Sequence, residues 1–348
     1  MATARGIAIY GATGHTGRLV AAELLGRGQD VILAGRDEAG LAAAAAALGP
    51  PDRVRTHLAP LHDPSALREL AESASVIVHC AGPFSVTGDA VASAAVAAGC
   101  HYIDHAVESH HVRHLFDDYD SRAQRAGIVM IPALSFYGGM GDLLSAAVTG
   151  DLPGIERVIV AYSVSGWRMT TGAKNTAAQL FAETERITFS DGAQHIGYVE
   201  PRNVVFAFPP PLGPRTMIAP FPSAEIVTIP RHVATPNVDL LITARTFEEE
   251  QVFASEHVDT ATRAQSDFTV AVSVVAKPGA AAGQVSGHDL WRAGALAAVE
   301  GAVALADPRA DPGRAGVLSP AEAFPALAFL RRLEELGALT LSLQPPAG

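Results

Sequence analysis

The stretch Ile7-Ala8-Ile9-Tyr10-Gly11-Ala12-Thr13-Gly14-His15-Thr16-Gly17-Arg18 decides the fold. A short apolar run stops at Gly11, two more glycines follow at three-residue spacing, and residues 19–25 continue as a helical pattern. This order of strand, tight turn and helix is typical of the first half of a dinucleotide-binding βαβ unit. Gly11 allows the sharp turn, Gly14 lets the backbone approach a pyrophosphate, and Gly17 lets the helix pack close to the sheet.

The N-terminus of that first helix is a predicted phosphate site, because its N–H groups and positive dipole end attract anions. Residues 30–36 are the predicted second strand. They stand where the second strand of a βαβ unit of roughly 30 residues should end. From this turn we predict cofactor contacts at Gly11, Thr13, Gly14, His15 and Thr16. The chain has 32 glycines, so an ordinary turn without a cofactor remains an alternative.

The end of the second strand indicates which dinucleotide is preferred. NAD sites usually carry Asp or Glu there for the ribose 2′-hydroxyl, but this chain has Gly35-Arg36, with Asp37 one residue later. A guanidinium suits a 2′-phosphate because it is planar, always charged and able to bind in a bidentate manner. We therefore expect Gly35 and Arg36 to favour NADP(H). The alternative is that Arg36 is solvated and Asp37 contacts the ribose.

Composition excludes several classes of function. The 348 residues are 49% hydrophobic and 18% charged, which is enough for one large or two modest cored domains. The net charge is −11 without a basic run, so nucleic acid and anionic membranes are not expected partners. No apolar stretch is long enough to span a bilayer.

A cytoplasmic location is the expectation from the cysteines and the N-terminus. Cys80 and Cys100 are the only cysteines, so no disulfide framework or thiolate metal site is indicated. The first predicted strand begins almost at once, which leaves no room for a signal peptide.

The pattern along the chain predicts an α/β fold, a Rossmann doubly wound parallel sheet, with a second α+β domain inserted before C-terminal helices that return to the first domain. Helices and strands alternate up to about residue 150, whereas residues 155–285 are mainly β with one helix near 172–183. Helical patterns resume at 290–305 and 319–336. The predicted domains are 1–150 plus 286–348 for the dinucleotide and 151–285 for substrate and dimerisation.

A second cofactor segment is predicted after the fourth strand. Cys80-Ala81-Gly82-Pro83-Phe84 follows a continuous apolar run and so lies at the carboxyl edge of a parallel sheet, where ligands bind. Small or rigid residues suit a backbone that lies along a cofactor, and Phe84 would form a wall beside the nicotinamide. The alternative is a plain strand-to-helix turn.

With these pieces in place, the chain resembles the saccharopine dehydrogenase-like family, especially its short bacterial branch similar to trans-acting enoyl reductases. Four groups of residues carry the likeness: Gly11 to Arg18; Cys80 to Phe84 with Gly88; Gly99 with His101 to Asp104 and Glu108; and Gly287 to Asp289 with Gly316 to Glu322. The resemblance implies an NAD(P)-binding Rossmann domain, an inserted α+β domain and a substrate cleft between the two. It also implies nicotinamide-dependent reduction or oxidation of C=N, C=C or related bonds.

The chain departs from the family pattern at three places where that cleft is expected. His105 stands where an apolar residue is usual, and residues 169–175 replace a Gly-Thr-rich turn. Ser135-Phe136-Tyr137-Gly138-Gly139 replaces a motif that usually ends in Asp and Pro. The substrate, and with it the reaction type, can therefore differ from those of the relatives.

Three residues are candidates for proton donation during hydride transfer. Lys174 is one of two lysines and starts the predicted middle helix, where partial burial would make its ammonium an acid. Tyr137 follows the sixth strand at the carboxyl edge, either as a donor or as a core tyrosine. His105 follows the fifth strand, either as a donor or as a structural histidine.

Metal chemistry is not expected. His110, His111 and His114 sit close in sequence, but no third ligand of fixed spacing accompanies one helix face, and a solvated face explains them better.

The function predicted from the sequence is an NADPH-dependent reductase of a C=C, C=N or C=O bond in a small-molecule substrate. The resemblance implies that this substrate is an intermediate of bacterial specialised metabolism. Two alternatives stay open: an NADP(H)-binding protein without redox turnover, and a redox-neutral cyclase or isomerase. A homodimer through the sheet of the second domain is the expected assembly.

Overall fold

The computed structural model describes residues 5–347 apart from 50, 249–251, 253–258, 308 and 310–312. The chain divides into two units. The first comprises Met1–Ala106, His111–Ser135 and Gly294–Leu318, and the second comprises Val107–His110, Phe136–Ala293 and Ser319–Gly348.

A seven-stranded parallel sheet forms the centre of the first unit. With strands numbered along the chain, it contains β1 (Gly6–Tyr10), β2 (Val31–Gly35), β3 (Val54–Leu58), β4 (Ala74–His79), β5 (His101–Asp104), β6 (Val129–Ile131) and β15 (Gly316–Val317). The strand order is β15-β6-β5-β4-β1-β2-β3. Within it, the six strands β6-β5-β4-β1-β2-β3 have the Rossmann order. In this order the sequence of strand additions changes side between β1 and β4, while all strands stay parallel. The Rossmann prediction is confirmed.

Helices connect these strands, and their starts follow the expected capping chemistry. They are α1 (His15–Gly26), α2 (Glu38–Leu48), α3 (Pro64–Ser73), α4 (Phe84–Ala98), α5 (Ser109–His114) and α6 (Asp120–Ala126), with a π turn at Leu115–Tyr119. Asp63 caps α3 by accepting the N–H groups of Ser65 and Ala66. Strand β4 is enclosed on both faces, since Val76, Ile77 and Val78 are fully buried.

A nine-stranded mixed sheet forms the centre of the second unit. Its strands are β7 (Ile155–Ser165), β8 (Arg186–Ser190), β9 (Ala193–Gly197), β10 (Arg202–Ala207), β11 (Pro214–Ala219), β12 (Val238–Thr243), β13 (Asp267–Ala276), β14 (Ala280–His288) and β16 (Thr340–Ala347). The order is β10-β11-β12-β7-β13-β14-β16, and the hairpin of β8 and β9 joins at β12. Only the β12–β7 pair is parallel among the pairs of this sheet in the described residues.

The remaining helices are α7 (Gly139–Thr149), α8 (Thr171–Ala182), α9 (Glu225–Thr228), α10 (Arg245–Glu248), α11 (Thr260–Ala264), α12 (Leu290–Ala306), α13 (Pro320–Ala323) and α14 (Ala326–Glu335). Helix α7 packs on β13 and β14. The approach is close at Gly283, where a β-carbon would stand 2.6 Å from a methyl group of Val148. The absence of a side chain at Gly283 lets this helix lie directly on the sheet.

The unit boundaries differ from the expected 150 and 286. Because α7 packs on the second sheet, the long segment of the second unit begins at Phe136 instead of 151, and after it the chain returns to the first unit only through Gly294–Leu318. Strand β16 pairs with β14, so Ser319–Gly348 lies in the second unit. The predicted single helix over 319–336 is divided at Pro325, which precedes α14.

No helix within the described ranges combines the length and the apolar character that a membrane span requires.

Candidate active site

The turn after β1 is built by main-chain hydrogen bonds. The N–H groups of Gly11 and Ala12 donate to the carbonyl of Ala34, at 2.8 and 3.1 Å. Gly11 has a φ of +87°, and a β-carbon there would stand 2.8 Å from the Cβ of Ala81. A side chain at Gly11 would therefore displace either this turn or the loop that follows β4.

The N-terminus of α1 is open for an anion. Gly14 precedes the helix in an extended conformation, and within the described part of the chain no side chain caps it. The first turn contains no acidic residue, so the positive end of the helix dipole is not neutralised there. A β-carbon at Gly17 would lie 2.4 Å from the Gly11 carbonyl oxygen. Glycine at this position keeps the helix against the turn.

The other predicted residues of this turn lie beside the open helix end. Gly14 is exposed, whereas Thr13, His15 and Thr16 are half-buried. All of them belong to the turn or to the first residues of α1. The structure therefore brings the predicted phosphate-binding residues together.

Arg36 follows β2 and is exposed, and the described residues give it no ion-pair partner. Its neighbour Asp37 is engaged: one carboxylate oxygen accepts the N–H of Gly40 at 3.1 Å and caps α2. This bond uses one of the two oxygens of the Asp37 carboxylate. Gly35 is buried at the end of β2.

The loop after β4 is held by three hydrogen bonds. The N–H of Cys80 donates to the Tyr10 carbonyl at 2.8 Å, and the hydroxyl of Thr87 bonds the carbonyls of Ala81 and Pro83. Ala81, Gly82 and Pro83 are half-buried. Burial raises the pKa of the Cys80 thiol, so this residue stays a neutral thiol.

The Phe84 ring is not displayed at the sheet edge. It is 5% exposed and packs between two histidines, with centroids 4.9 Å from His79 and 5.7 Å from His111. Phe84 therefore contributes to the interior of the first unit rather than forming an open wall.

A buried hydrogen-bonded network lies at the carboxyl ends of β4 and β5, and sequence reasoning missed it. The Oδ2 atom of Asp104 accepts the Tyr102 hydroxyl at 3.0 Å and bonds Nε2 of His111 at 2.9 Å. Its Oδ1 atom accepts the N–H groups of Ala106 and Ala133, at 3.0 and 2.7 Å. Burial raises the pKa of Asp104, but the bonds from His111 and the main chain outweigh burial and hold it below its usual value.

His79 extends this network. Its Nδ1 lies 3.0 Å from the Tyr102 hydroxyl, and because that hydroxyl gives its single proton to Asp104, Nδ1 is the donor. Burial lowers the pKa of His79 to about 3, so the ring is neutral at physiological pH. Gly88 makes room for the far end of the network, since a β-carbon there would lie 2.2 Å from the His111 ring.

His105 is close to this network but does not fit the predicted role of acid. Its ring Nδ1 lies 2.9 Å from the Ser135 hydroxyl, and its main-chain N–H donates to the His79 carbonyl at 3.3 Å. Burial lowers its pKa to about 4, with the Asp104 charge opposing the shift. The ring is therefore neutral near pH 7, whereas the sequence-based hypothesis assumed an unperturbed imidazole.

Lys174 lies in the first turn of α8 and is half-exposed. The hydroxyl of Thr170 caps this helix through the N–H of Ala173. No described residue forms an ion pair or a hydrogen bond with the Lys174 ammonium. The side chain is therefore partly buried, as the sequence-based hypothesis assumed, and the role of Lys174 as an acid stays a prediction.

The three neighbouring histidines have separate partners. His111 bonds Asp104, His110 lies 3.3 Å from the Glu185 carbonyl, and His114 lies between Asp89 and Asp118. They do not converge on one centre.

Tyr137 belongs to the second unit and lies within an aromatic cluster. Its ring centroid is 5.1 Å from Tyr162 and 5.5 Å from Phe221. The side chain is half-buried, but the hydroxyl oxygen is enclosed, and no described residue hydrogen-bonds to it. Burial, together with the nearby Glu225 charge, raises the pKa of Tyr137, so the phenol remains protonated.

Glu225 is the second functional candidate that sequence reasoning missed. It is fully buried and accepts hydrogen bonds from Tyr162, Ser223 and the N–H of Gly138. No motif surrounds this glutamate in the sequence, since it stands in a short helix among apolar residues. Only its tertiary partners distinguish it from a surface acid.

Comparison with known proteins agrees with this geometry. Residues 7–131 match the family model described as the saccharopine dehydrogenase NADP binding domain. A protein of Arabidopsis thaliana named as a probable mitochondrial saccharopine dehydrogenase-like oxidoreductase is 34% identical over 140 residues, which cover 37% of this chain and 31% of that protein. A Mycobacterium tuberculosis protein provisionally named a trans-acting enoyl reductase is 34% identical over 140 residues, 39% of this chain and 33% of that protein.

Among solved structures, the apo saccharopine dehydrogenase (L-Glu forming) of Saccharomyces cerevisiae has a TM-score of 0.66 at 11% identity, covering 99% of this chain and 100% of that chain. This match shows a shared fold. The two sequence relatives are matched over about a third of their length. Together the matches confirm the resemblance that the motifs predicted.

Proposed function

We propose that this chain, whose residues 7–131 match the family model of the saccharopine dehydrogenase NADP binding domain, is an NADPH-dependent reductase of a C=C, C=N or C=O bond in a small organic molecule. The observation that carries the proposal is the turn between β1 and α1. Its glycines meet main-chain atoms or a neighbouring loop where a β-carbon would stand, and its helix end is uncapped.

The residues present fit a dinucleotide. The turn from Gly11 to Thr16 offers main-chain N–H groups at a helix end, which suits a diphosphate. The loop of Cys80, Ala81, Gly82, Pro83 and Phe84 lies at the carboxyl edge of β4, next to the reversal of strand order where ligands bind in such sheets. These segments would hold the cofactor.

NADPH rather than NADH is the proposed reductant, because the two side chains after β2 differ in availability. Arg36 is exposed and unpaired among the described residues, whereas the Asp37 carboxylate caps α2. A 2′-phosphate would gain a charge-assisted hydrogen bond from the guanidinium. A 2′-hydroxyl carries no charge with which the guanidinium could pair.

When bound, the nicotinamide supplies the hydride, and the chain must then supply a proton or a hydrogen bond to the acceptor. Tyr137 is best suited among the three predicted donors, because its hydroxyl is enclosed and has no partner within the described residues. His105 is neutral and bonded to Ser135, and Lys174 is half-exposed. We assign the donor role to Tyr137.

Replacing Arg36 with Ala tests the cofactor assignment. A fluorescence titration should show NADPH binding weakened by about 1.5–3 kcal/mol, the range for hydrogen bonds to charged groups. NADH binding should hardly change. Arg68→Ala is the matched control, because Arg68 is an exposed arginine that pairs with Glu72 on α3. Equal NADPH affinity in Arg36→Ala and wild type would contradict the assignment.

Turnover separates the reductase from the two alternatives. NADPH carrying deuterium at C4 should transfer its label to an acceptor. Binding of NADPH without transfer across a panel of enones, imines and ketones would favour a sensor. Conversion of a substrate without loss of NADPH absorbance would favour a redox-neutral reaction.

A further inference from the structure

Gly40 lies in the first turn of α2, where a larger residue would meet two side chains. A β-carbon at this position would stand 2.4 Å from Oδ2 and 3.0 Å from Cγ of Asp37, and 3.1 Å from the Cγ2 methyl group of Thr13. A separation of 2.4 Å is far inside van der Waals contact, so the carboxylate could not keep its place beside a side chain. The absence of a β-carbon at Gly40 therefore allows the observed position of the Asp37 carboxylate.

The Asp37 carboxylate is held over the start of α2. Its Oδ1 atom accepts the N–H of Gly40 at 3.1 Å, and the positive end of the helix dipole favours a negative charge at this place. Asp37 is exposed, so packing in the core does not fix its side chain. The hydrogen bond from Gly40 and the free space beside that residue set where the charge of Asp37 stands.

The neighbouring Arg36 side chain acts on a different part of the first unit. Burial raises the pKa of Tyr10, and the Arg36 charge partly offsets this increase, so the guanidinium stands near the Tyr10 hydroxyl. That hydroxyl donates to the carbonyl of Ala59 at 3.0 Å, where β1 and β3 end. The positive charge after β2 is thus directed to the carboxyl edge of the sheet, whereas the negative charge is directed to α2.

This separation of charges bears on the choice between the two dinucleotides. A carboxylate brought close to a 2′-phosphate would repel it, or would pair with the Arg36 guanidinium in its place. A 2′-hydroxyl would instead gain an acceptor from the same carboxylate, as it does in NAD sites. The position of the Asp37 carboxylate therefore has opposite effects on NADPH and NADH.

We propose that Gly40 is a specificity-determining residue, which favours NADPH over NADH by keeping the Asp37 carboxylate on the cap of α2 and away from the 2′ position of the cofactor. This inference rests on the reductase function proposed above and adds the residue that sets its cofactor preference. Gly40 acts through Asp37 and is a positioning residue, because it has no side chain that could bind the cofactor.

Fluorescence titrations of the full-length protein with NADPH and with NADH test the proposal in Gly40→Ala. The added β-carbon should expel the Asp37 carboxylate and lower the ratio of NADPH to NADH affinity by at least about tenfold, which corresponds to about 1.4 kcal/mol. Displacement of Thr13 by the same β-carbon would weaken both nucleotides alike and would leave the ratio unchanged. A wild-type ratio in Gly40→Ala would overturn the inference.

Gly26→Ala is the matched control for a β-carbon added to a helix of the same unit. Gly26 lies in α1, and a β-carbon there would meet nothing within 4 Å. The ratio of the two affinities should stay at its wild-type value in this variant.

Two double variants separate the charge of Asp37 from other effects of the new β-carbon. Asp37→Asn combined with Gly40→Ala keeps the shape and removes the charge, so the ratio should return towards the wild-type value. Glu38→Gln combined with Gly40→Ala removes the adjacent exposed charge instead and should keep the lowered ratio. Equal ratios in the two double variants would refute the role of Asp37.

Asp37→Glu keeps the inference testable if Gly40→Ala does not fold. The longer side chain carries the carboxylate beyond the N–H of Gly40, and glutamate is not among the residues preferred as helix caps, so the ratio should fall here too. An unchanged ratio in Asp37→Glu would contradict the proposal.

The wild type reports the proposed function separately. A wild type that binds NADH as tightly as NADPH, or that binds neither, overturns the cofactor assignment together with this inference. A wild type that prefers NADPH, with the same preference in Gly40→Ala, overturns the role of Gly40 alone.

Discussion

Asp104 shows how much one buried side chain can hold together. Its two oxygens are bonded to Tyr102, His111 and two main-chain N–H groups, and its exposure is zero. In Asp104→Asn, an amide NH2 group would replace one carboxylate oxygen. This group cannot accept the hydrogen bonds that the oxygen accepts in the wild type. We expect a loss of about 3 kcal/mol in the free energy of unfolding at neutral pH, the scale for breaking a buried charged network.

The sign of the pH dependence follows from the lowered pKa of Asp104. The stabilisation is present above the pKa of the unfolded carboxyl, about 3.9, and disappears as pH falls through the lower folded value. Urea denaturation at neutral and acidic pH should show the two proteins converging under strongly acidic conditions. Asp117→Asn, at an exposed pair with Arg113, should change stability by less than about 0.5 kcal/mol. If Asp104→Asn lowered the free energy of unfolding by as little as Asp117→Asn does, the proposed stabilisation by the Asp104 hydrogen bonds would be ruled out.

The roles of individual site residues are the part of the site that the sequence predicts least well. The type of residue at 105 suggested an acid, but burial, which depends on tertiary neighbours, lowers the pKa of His105 to about 4. Glu225 gave no signal, because its partners Tyr162 and Gly138 lie far away in sequence. By contrast, the positive φ of Gly11 and the contact of Gly17 with the Gly11 carbonyl oxygen belong to local chain geometry, which the sequence motif indicates by itself.

At the scale of elements, helix α1 contains two glycines in different surroundings, so that one substitution can serve as the control for the other. Gly17 and Gly26 both lie in this helix. A β-carbon at Gly17 would stand 2.4 Å from the Gly11 carbonyl oxygen, whereas one at Gly26 would meet nothing within 4 Å. Gly17→Ala should push the helix from the turn, lower stability by about 1–3 kcal/mol and abolish NADPH binding. Gly26→Ala should raise stability by about 0.5–1 kcal/mol.

Thermal unfolding and an NADPH titration of both variants check this comparison. Wild-type affinity in Gly17→Ala would show that the turn is not the diphosphate site. The second substitution confirms that any loss comes from the position and not from alanine itself.

Most elements of the first unit were predictable because buried parallel strands and capped helices leave local signals. Strand β4 lies in a largely apolar run, and α3 has Asp63 as its N-cap and Pro64 as its first residue, which is a typical helix start. Strand β14 leaves a weaker local signal, because Ala280–His288 is rich in Ala and Gly, which favour strands poorly. Its pairing with β13 and β16 compensates for that weak local preference.

At the scale of the whole molecule, we propose a homodimer formed through the second sheet. Strand β10 stands at one end of the strand order, and Val205 on it is 74% exposed. Light scattering should give twice the 36.1 kDa mass of one chain. Val205→Lys should favour the monomer, because a charge on an edge strand opposes pairing. Leu327→Lys, an exposed helical position, is the control. A monomeric wild type would exclude the dimer.

The chain passes several times between its two units, and this limits how the gene can evolve by recombination. The chain passes from one unit to the other after Ala106, His110, Ser135, Ala293 and Leu318. Neither unit corresponds to one uninterrupted stretch of the gene, so a single recombination event cannot exchange either as a module. New specificities in this lineage should therefore arise by point substitutions, such as those at residues 135–139, and not by domain shuffling.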